Sequence, residues 1–525
     1  MKIQTKKTII GALALLPALC SYGQREQRPN FIFIMSDDHA ERAISAYGHP
    51  LSQIAPTPNI DRIAQNGALF MNNFSGNSIS GPSRATILTG LHSHKHGFMQ
   101  NDGEGFDGTQ LTMQQLLQEH GYQTAIIGKW HLGSRPTGFD FWKVLNGQGE
   151  YNNPFFLTET DTTRHWGYVT DLITDFAIDW LENRDPDRPF FLKKHHKAPH
   201  RNFVPAERHY RLFEHTVFPI PHNFFDNFEG RRAAAHQRMM VARDFMLGYD
   251  LKIASGVDTY ELIDPVGNWF LRNEMTEEQK IYFFRAFRER NNDFHTTPRT
   301  EKELAIWKYQ RFLQDYLATV RGLDESIGAL LDYLEATGLA ENTIVIYTTD
   351  QGFFLGEHGW FDKRFMYEES FRMPFMMSHP GYITPGTKVW GLTQNIDFAP
   401  TFLDMAGIEI PNSMQGRSFK EMVRTGETPR NWRRSLYYHY FEYPGPHYVK
   451  AHFGVRTERH KLIYFYEAGF WELFDLQRDP YEMNNIYGRF GTRRLTRQLK
   501  RELIYLQEKY EVGEEFRAWF TGRRR

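Results

Sequence analysis

Carboxylate side chains directly follow two short apolar segments of the chain. Asp37 and Asp38 directly follow one segment, and Asp350 follows another with Gln351 beside it. Three carboxylates gathered without a cation would repel one another strongly. With an amide oxygen they form an oxygen-only donor set, which suits Ca²⁺ or Mg²⁺ and not zinc. A lone Asp–Asp pair is more often the cap of a helix or turn, so the spacing alone only suggests a metal site.

The segment SISGPSRATILTG has the chemistry of an anion site. The pair Pro82-Ser83 predicts the start of a helix, with Arg84 in its first turn and Ser80 just ahead of it. A helix N-terminus beside an arginine binds anions well. Spacing alone favours an ordinary N-capped helix.

Basic and imidazole side chains directly follow two further apolar segments. Lys129 and His131 follow Thr124 to Gly128, and the run KKHHK follows Pro189 to Leu192. Taken alone, Lys129 and His131 would be ordinary exposed loop residues. Their position at the end of a predicted strand makes them candidate partners of the carboxylates.

The elements that must position these residues alternate between strands and helices. Apolar runs predict strands over Arg28 to Ser36, Thr124 to Gly128, Pro189 to Leu192 and Asn342 to Thr349. Helical spacing of apolar residues predicts helices over Ile60 to Ala64, Met113 to His120, Tyr168 to Glu182 and Gly322 to Gly338. This alternation predicts an α/β fold with a mostly parallel sheet. Ligands bind at the carboxyl ends of strands in such sheets, where the candidate residues stand.

Two regions depart from this alternation. Arg201 to Tyr260 is irregular and rich in Phe, His and Arg, and we interpret it as an insertion near the site. After Arg430, strand-like segments between Gly and charged turns predict a smaller antiparallel subdomain closed by a helix over Leu495 to Tyr510. The predicted domains are an α/β domain with the site over 24–430 and a C-terminal subdomain over 431–525.

The N-terminus has the pattern of an export signal. Three lysines precede Thr8 to Cys20, an uncharged stretch too short to span a bilayer. Cleavage after Gly23 fits the small-residue rule. We therefore predict a signal peptide over 1–23 and a periplasmic or secreted protein without a transmembrane segment. Lipid attachment at Cys20 is less favoured because Leu19 makes a poor lipobox.

The amino-acid composition excludes several classes of partner and of active site. The 525 residues include 62 basic and 63 acidic side chains, a net charge of −1, which argues against nucleic acid as a partner. Cys20 is the only cysteine, and cleavage after Gly23 would leave none. The mature chain would then lack disulfides, cysteine nucleophiles and cysteine-based zinc or iron–sulfur sites.

Five motifs together resemble the type I sulfatase family. One is S-x-P-S-R followed after four residues by T-G, here Ser80 to Arg84 and Thr89-Gly90. The others are NFIFIMSDDH, GKWHLG, HKAPH and TTDQGFFLGEHGWFDKR, and all five occur in the family's order. The resemblance implies an alkaline-phosphatase-like fold. This is a mixed sheet flanked by helices, with a smaller C-terminal antiparallel β subdomain and a closing helix.

The resemblance also implies a modified nucleophile and a metal ion. In the family the first Ser or Cys of the motif is oxidised to formylglycine (3-oxoalanine), which here would be Ser80. Because the mature chain has no cysteine, this implies a radical-SAM maturase that accepts serine. One Ca²⁺ would be held by Asp37, Asp38, Ser80, Asp350 and Gln351.

Further family roles apply to the matching positions. Arg84 and Lys129 would neutralise charge on the sulfuryl oxygens. His200 and Lys363 would stabilise or protonate the leaving oxygen, and His131 would take the proton that lets sulfate leave. The family assigns nothing to His92, His94 and His96, which we interpret as surface residues or as supports of the site residues. We interpret His195 and His196 as supports of the site residues, and the role of His358 stays open.

The segment from Tyr437 to Tyr466 indicates the substrate. It resembles bacterial N-acetylglucosamine-6-sulfatases, including mucin-desulfating ones. The resemblance implies hydrolysis of the 6-O-sulfate of N-acetylglucosamine, with His447 of this segment contacting the sugar. Asp362 and Arg364 flank Lys363 and should therefore lie near the pocket, where an acid and a fork-shaped donor suit sugar hydroxyls. Heparan, mucin and keratan substrates, and exo and endo action, stay open.

Three alternatives share this fold. They are a sulfatase for another sugar position, a phosphoester or phosphonate hydrolase, and a non-catalytic glycan-binding protein. Two-zinc hydrolases of the superfamily have an Asp-His pair where this chain has Asp350-Gln351, which favours a single Ca²⁺. A non-catalytic protein would lack motif residues, and none is missing.

Overall fold

The structure is a computed structural model that describes residues 28–101, 103 and 105–521. The predicted signal peptide over 1–23 and the predicted alternative at Cys20 lie outside these residues. Within the described ranges, no helix is long and apolar enough to cross a membrane.

The described residues form eighteen β-strands and fifteen α-helices, which we number in chain order. The strands are β1 (Asn30–Ser36), β2 (Gly67–Phe70), β3 (Asn73–Phe74), β4 (Gln123–Gly128), β5 (Phe141–Leu145), β6 (Phe155–Leu157), β7 (Thr162–Arg164), β8 (Phe190–His195), β9 (Thr343–Thr349), β10 (Phe354–Leu355), β11 (Phe361–Asp362), β12 (Phe375–Ser378), β13 (Thr387–Val389), β14 (Thr393–Gln394), β15 (Ser435–Tyr440), β16 (His452–Thr457), β17 (His460–Phe465) and β18 (Phe470–Asp475). The helices are α1 (Pro50–Ile54), α2 (Pro58–Gln65), α3 (Ser80–Thr89), α4 (Ser93–His96), α5 (Met113–Glu119), α6 (Val169–Asn183), α7 (Arg232–His236), α8 (Pro265–Glu274), α9 (Glu277–Thr296), α10 (Glu301–Ala336), α11 (Glu368–Phe371), α12 (Phe398–Met405), α13 (Lys420–Thr425), α14 (Arg493–Lys509) and α15 (Glu514–Thr521).

Ten strands form one large sheet in the order β13-β2-β12-β9-β1-β8-β4-β5-β6-β7. Its centre, from β9 to β5, is parallel. Strand β12 is antiparallel to both of its neighbours, as are β6 and β7 at the far edge. The four strands predicted from the sequence are β1, β4, β8 and β9, which lie side by side. The predicted mixed α/β sheet is therefore confirmed.

Strand β1 is buried on both faces, which explains its unbroken apolar sequence. Ile32 and Ile34 pack with α2, α6 and α10 on one face. Phe31, Phe33 and Met35 pack with α5, α12 and α13 on the other. Successive side chains alternate between the two helical layers because a strand has a period of two residues. Helices thus cover both faces, and functional side chains gather at the carboxyl-end edge.

The C-terminal subdomain is a four-stranded antiparallel sheet in the order β15-β16-β17-β18. Helix α14 covers it with Leu499, Leu503 and Leu506, which confirms the predicted closing helix. The buried ion pair between Arg433 and Asp397 joins the subdomain to the larger domain. The domain boundary after residue 430 stays a prediction.

Three elements differ from their predicted bounds. Helix α3 begins at Ser80 and not at Pro82, so Ser80 lies in its first turn. Strand β8 continues to His195, so the lysines expected after the strand lie buried within it. Helix α10 has 36 residues, about twice the predicted length, and begins at a capping box on Thr300. Its middle is buried nearly all round, which hides the one-sided pattern of an amphipathic helix.

Candidate active site

The start of α3 places a hydroxyl and a guanidinium beside the carboxylates. The Ser80 side chain is buried, and its hydroxyl donates to Asp37 Oδ1 at 3.3 Å. Arg84, one turn later, donates from Nε and Nη2 to Asp350 Oδ2 at 3.3 and 3.2 Å. The predicted nucleophile therefore touches a predicted metal ligand, and the predicted anion-binding arginine touches another.

The predicted metal ligands meet because β1 and β9 are parallel neighbours. The backbone N–H of Asp38 donates to Asp350 Oδ1 at 3.2 Å, and Gln351 Nε2 donates to Asp38 Oδ1 at 2.6 Å. Within the described part of the chain, the buried Gln351 Oε1 has no hydrogen-bond partner. Ligand atoms of Asp37, Asp38 and His200 lie within 4.8 Å of one another.

The pKa values of the carboxyls in this cluster are shifted by burial and by the charge of their neighbours. Burial, with like charge from Asp37 and Asp350 and against the charge of Lys363, raises the pKa of Asp38 to about 8. Burial and the charge of Asp37 also raise the pKa of Asp350. Mutually repelling carboxyls and an unpartnered amide oxygen form the donor set of a hard divalent cation. These residues therefore fit the Ca²⁺ site expected from the sequence.

Lys129 lies on the other side of Asp37. Its ammonium group contacts Asp37 Oδ2 and donates to Gln148 Oε1 at 2.5 Å. Burial alone would raise the pKa of Asp37, but the charges of Lys129 and Arg84 hold it well below its usual range. Burial lowers the pKa of Lys129 to about 8. This side of the site is a buried cationic pocket, which suits an anion.

His200 and Lys363 both face Asp38. Lys363 Nζ donates to the two carboxylate oxygens at 2.6 and 2.7 Å, and His200 Nε2 lies 3.7 Å from Oδ2. Burial lowers the pKa of His200 well below its usual value. Burial opposes the charge of Asp38 and Asp362 at Lys363, but the carboxylates prevail and raise its pKa. His200 and Lys363, which are predicted to act on the leaving oxygen, therefore face the same carboxylate. His200 is neutral and Lys363 is cationic.

Asp362, Arg364 and His447 also come together. Arg364 Nη1 binds Asp362 Oδ1, and His447 Nε2 lies 3.3 Å from Asp362 Oδ2. Two contacts that the sequence did not indicate fix this group: Glu442 accepts from Arg364 Nε at 3.3 Å, and His447 Nδ1 lies 2.7 Å from the carbonyl oxygen of Arg238. The structure therefore assembles all three predicted sugar-contacting residues next to Lys363.

Four predicted site residues have left-handed backbone conformations. Asp38, His131, Asp362 and Arg364 have φ angles of 63°, 54°, 76° and 91°. Each costs a non-glycine residue on the order of 1 kcal/mol or more, and such residues cluster at functional sites. This strain is consistent with a site whose side chains are aimed by the surrounding structure.

His131 lies beyond Lys129 and contacts a residue that the sequence analysis did not single out. Gln148 Nε2 lies 2.8 Å from His131 Nε2. Burial and the charge of Lys129 lower the pKa of His131 well below its usual value, so the ring is neutral at physiological pH. The only sequence signal for Gln148 was its place between Gly147 and Gly149.

Four of the other histidines have structural contacts, whereas both ring nitrogens of His196 lack a hydrogen-bond partner among the described residues. His195 Nδ1 lies 3.1 Å from the carbonyl oxygen of Lys129 and so borders the site. The remaining contacts are between His94 and the carbonyl oxygen of Tyr510, His96 and Thr86, and His358 and Asp226. Among the described residues, the run from His92 to His96 contributes to no cluster of metal-ligating side chains.

Comparison with protein families gives two overlapping matches. The profile described as sulfatase matches residues 29–408. The profile described as the C-terminal region of N-sulphoglucosamine sulphohydrolase matches residues 356–509. Together they span the large sheet, the site and the C-terminal subdomain.

Individual proteins agree with these matches. An N-acetylglucosamine-6-O-sulfatase of Bacteroides thetaiotaomicron is 46% identical over an alignment that covers 100% of this chain and 95% of the relative. A solved protein in complex with its substrate D-glucosamine-2-N,6-O-disulfate aligns with a TM-score of 0.89 and 47% identity, over 92% of this chain and 98% of that one. A phosphonate monoester hydrolase of Agrobacterium radiobacter, at 20% identity and a TM-score of 0.66, covers 92% of this chain and 96% of its own and shares the fold alone.

Proposed function

The chain belongs to the sulfatase family and is a sulfuric ester hydrolase, and from this premise we propose that it removes the 6-O-sulfate of N-acetylglucosamine or N-sulfated glucosamine in a glycan. The names of the relatives support a 6-O-sulfated glucosamine. The observation on which the proposal rests is the Asp362–Lys363–Arg364 group with His447. It sets an acceptor and a donor for sugar hydroxyls on either side of the lysine that faces Asp38.

We infer that Ser80 becomes formylglycine through a serine-accepting maturase, and that one Ca²⁺ is held by Asp37, Asp38, residue 80, Asp350 and Gln351. The hydrated aldehyde would supply one hydroxyl for attack on sulfur and a second that allows sulfate to leave, and the cation would lower the pKa of the first. The cysteine-free mature chain and the unpartnered Gln351 Oε1 support these two inferences.

The other roles in the reaction belong to side chains of this protein. Arg84 and Lys129 neutralise charge on the sulfuryl oxygens from buried positions, where each interaction is stronger than in water. Lys363 donates a proton or a hydrogen bond to the sugar oxygen that leaves, with His200 beside it. His131 accepts a proton when sulfate is released, because its lowered pKa leaves the ring unprotonated before that step.

We also infer that the protein is exported to the periplasm or beyond. The lysines, the uncharged stretch and the small residues before Gln24 support this inference. N-terminal sequencing of the protein from its host should give a chain that begins at Gln24.

The first prediction concerns the metal. Asp350→Ala removes a carboxylate from the cluster, so we expect Ca²⁺ affinity to fall by at least about 100-fold, the upper range for loss of an outer-shell contact. Elemental analysis after dialysis should find one Ca²⁺ per wild-type chain and none in the variant. Asp332→Ala, at an exposed surface ion pair, should retain the ion. Stoichiometric zinc in the wild type, or undiminished activity of Asp350→Ala, would refute the site.

The second prediction concerns the sugar. A galacto epimer should lose a hydrogen bond to Asp362 or Arg364, and the loss of a hydrogen bond to a charged group costs about 2–3 kcal/mol, or roughly 30- to 100-fold in rate. We expect kcat/KM to favour 6-sulfated N-acetylglucosamine over its galacto epimer by that factor. Asp362→Ala should lose most activity and keep its Ca²⁺. Equal rates on both epimers, or a preference for 2-, 3- or 4-sulfated sugars, would exclude this specificity and leave the sulfatase assignment in place.

A further inference from the structure

We propose that Gln148 is a positioning residue that links Lys129 to His131 and determines which ring nitrogen of His131 is free of a proton. The inference rests on the proposed function, in which Lys129 binds the sulfuryl group and His131 accepts a proton. It concerns an exposed residue that contacts the buried Lys129 and the half-buried His131.

The loop after β5 holds the Gln148 side chain in its position. Gly147 and Gly149, which flank Gln148, have φ angles of 55° and 70°. A Cβ atom on Gly149 would lie 2.7 Å from the Leu145 side chain, so this turn needs glycine. Lys197 Nζ donates to the carbonyl oxygen of Gln148 at 3.3 Å and ties the loop to the segment after β8.

The orientation of the Gln148 amide follows from its neighbours. An ammonium group can only donate hydrogen bonds, so the atom 2.5 Å from Lys129 Nζ must be the amide oxygen. The amide nitrogen is then the atom that lies 2.8 Å from His131 Nε2. Since an amide nitrogen donates, His131 Nε2 must accept and carries no proton. The single proton of the neutral ring is therefore on Nδ1.

This arrangement keeps the basic lone pair of His131 on Nε2. Among the described residues, His131 Nδ1 has no hydrogen-bond partner, so no other contact fixes the tautomer. Without Gln148 the ring is free to carry its proton on Nε2, where it can no longer accept one. The Gln148 amide is a weak donor on a glycine-flanked loop, and a reacting hydroxyl can displace it from Nε2. Gln148 thus keeps the base in its competent form until the proton is transferred.

The test compares two variants that separate the contacts. Gln148→Met removes both, and Gln148→Glu keeps an acceptor for Lys129 but has no donor for His131. We expect kcat to fall about 10- to 100-fold in both, the range for loss of a group that orients a functional side chain. KM should change by less than about threefold, because the contact with the sulfate-binding Lys129 is not required for binding. Both variants should retain sulfate on the denatured protein during turnover, as expected when release is slow.

The matched control is Gln118→Met, which removes an exposed amide that donates to Asp140. It should behave as wild type. Recovery of kcat in Gln148→Glu would show that only the Lys129 contact matters and would overturn the proposal, as would wild-type kcat in Gln148→Met. A wild-type protein that does not hydrolyse sulfate esters would instead remove the proposed function, and this role with it.

Discussion

Ser80→Ala should abolish turnover, with kcat falling by about 10⁵- to 10⁶-fold, the loss seen when a covalent nucleophile is removed from an enzyme. Alanine has no oxygen to be oxidised and none to attack sulfur. We expect the fold to survive, because the Ser80 hydroxyl makes one hydrogen bond, to Asp37, and caps no backbone N–H of α3. The melting temperature should therefore change little while activity disappears.

Mass spectrometry of the residue-80 peptide tests the chemistry behind this loss. In the active wild-type protein from its native host, the peptide should be about 2 Da lighter than the sequence predicts, since an alcohol oxidised to an aldehyde loses two hydrogens. Ser80→Cys is the matched control, because a maturase that converts cysteine would give the same aldehyde and restore activity. Unmodified Ser80 in a fully active preparation would contradict the mechanism.

The centre of the sheet was predictable because its strands are buried on both faces. β1 and β9 read as unbroken apolar runs, and their parallel pairing brings Asp37 and Asp38 next to Asp350. Short strands such as β6 and β7 have three residues each and are partly exposed. Too few side chains face one core in such strands to leave a pattern in the sequence.

Some residues of the site were likewise predictable from the sequence, and others were not. Asp350 and Lys129 immediately follow strands, so their positions follow from the fold. The approach of His447 to Asp362 depends on how the C-terminal subdomain packs against the larger domain, and only the family resemblance indicated it. Gln148 and Glu442 lie on loops whose contacts are set by tertiary structure. No local pattern marks the buried Glu442, and only its flanking glycines mark the exposed Gln148.

His131→Ala should slow the release of sulfate more than its transfer from the sugar. Burial and the charge of Lys129 lower the pKa of His131 well below its usual value, and its backbone has a left-handed φ of 54°. Removing a positioned general base costs about 10²- to 10⁴-fold. If the loss falls on release, a sulfur-labelled substrate should leave about one equivalent of sulfate on the denatured protein, with a first burst of desulfated sugar near the wild-type rate.

Lys129→Met is the comparison variant needed to interpret the result for His131→Ala. Lys129 is two residues away and contacts Asp37 and Gln148, so its loss also disturbs the cationic pocket. Because it neutralises the sulfuryl oxygens during attack, we expect Lys129→Met to slow the first step and to retain no sulfate. His120→Ala, at an exposed histidine of the outer surface, should match the wild type. A His131→Ala enzyme with neither burst nor retained sulfate would show that His131 acts in the attack, as Lys129 does, and would remove it as the base for release.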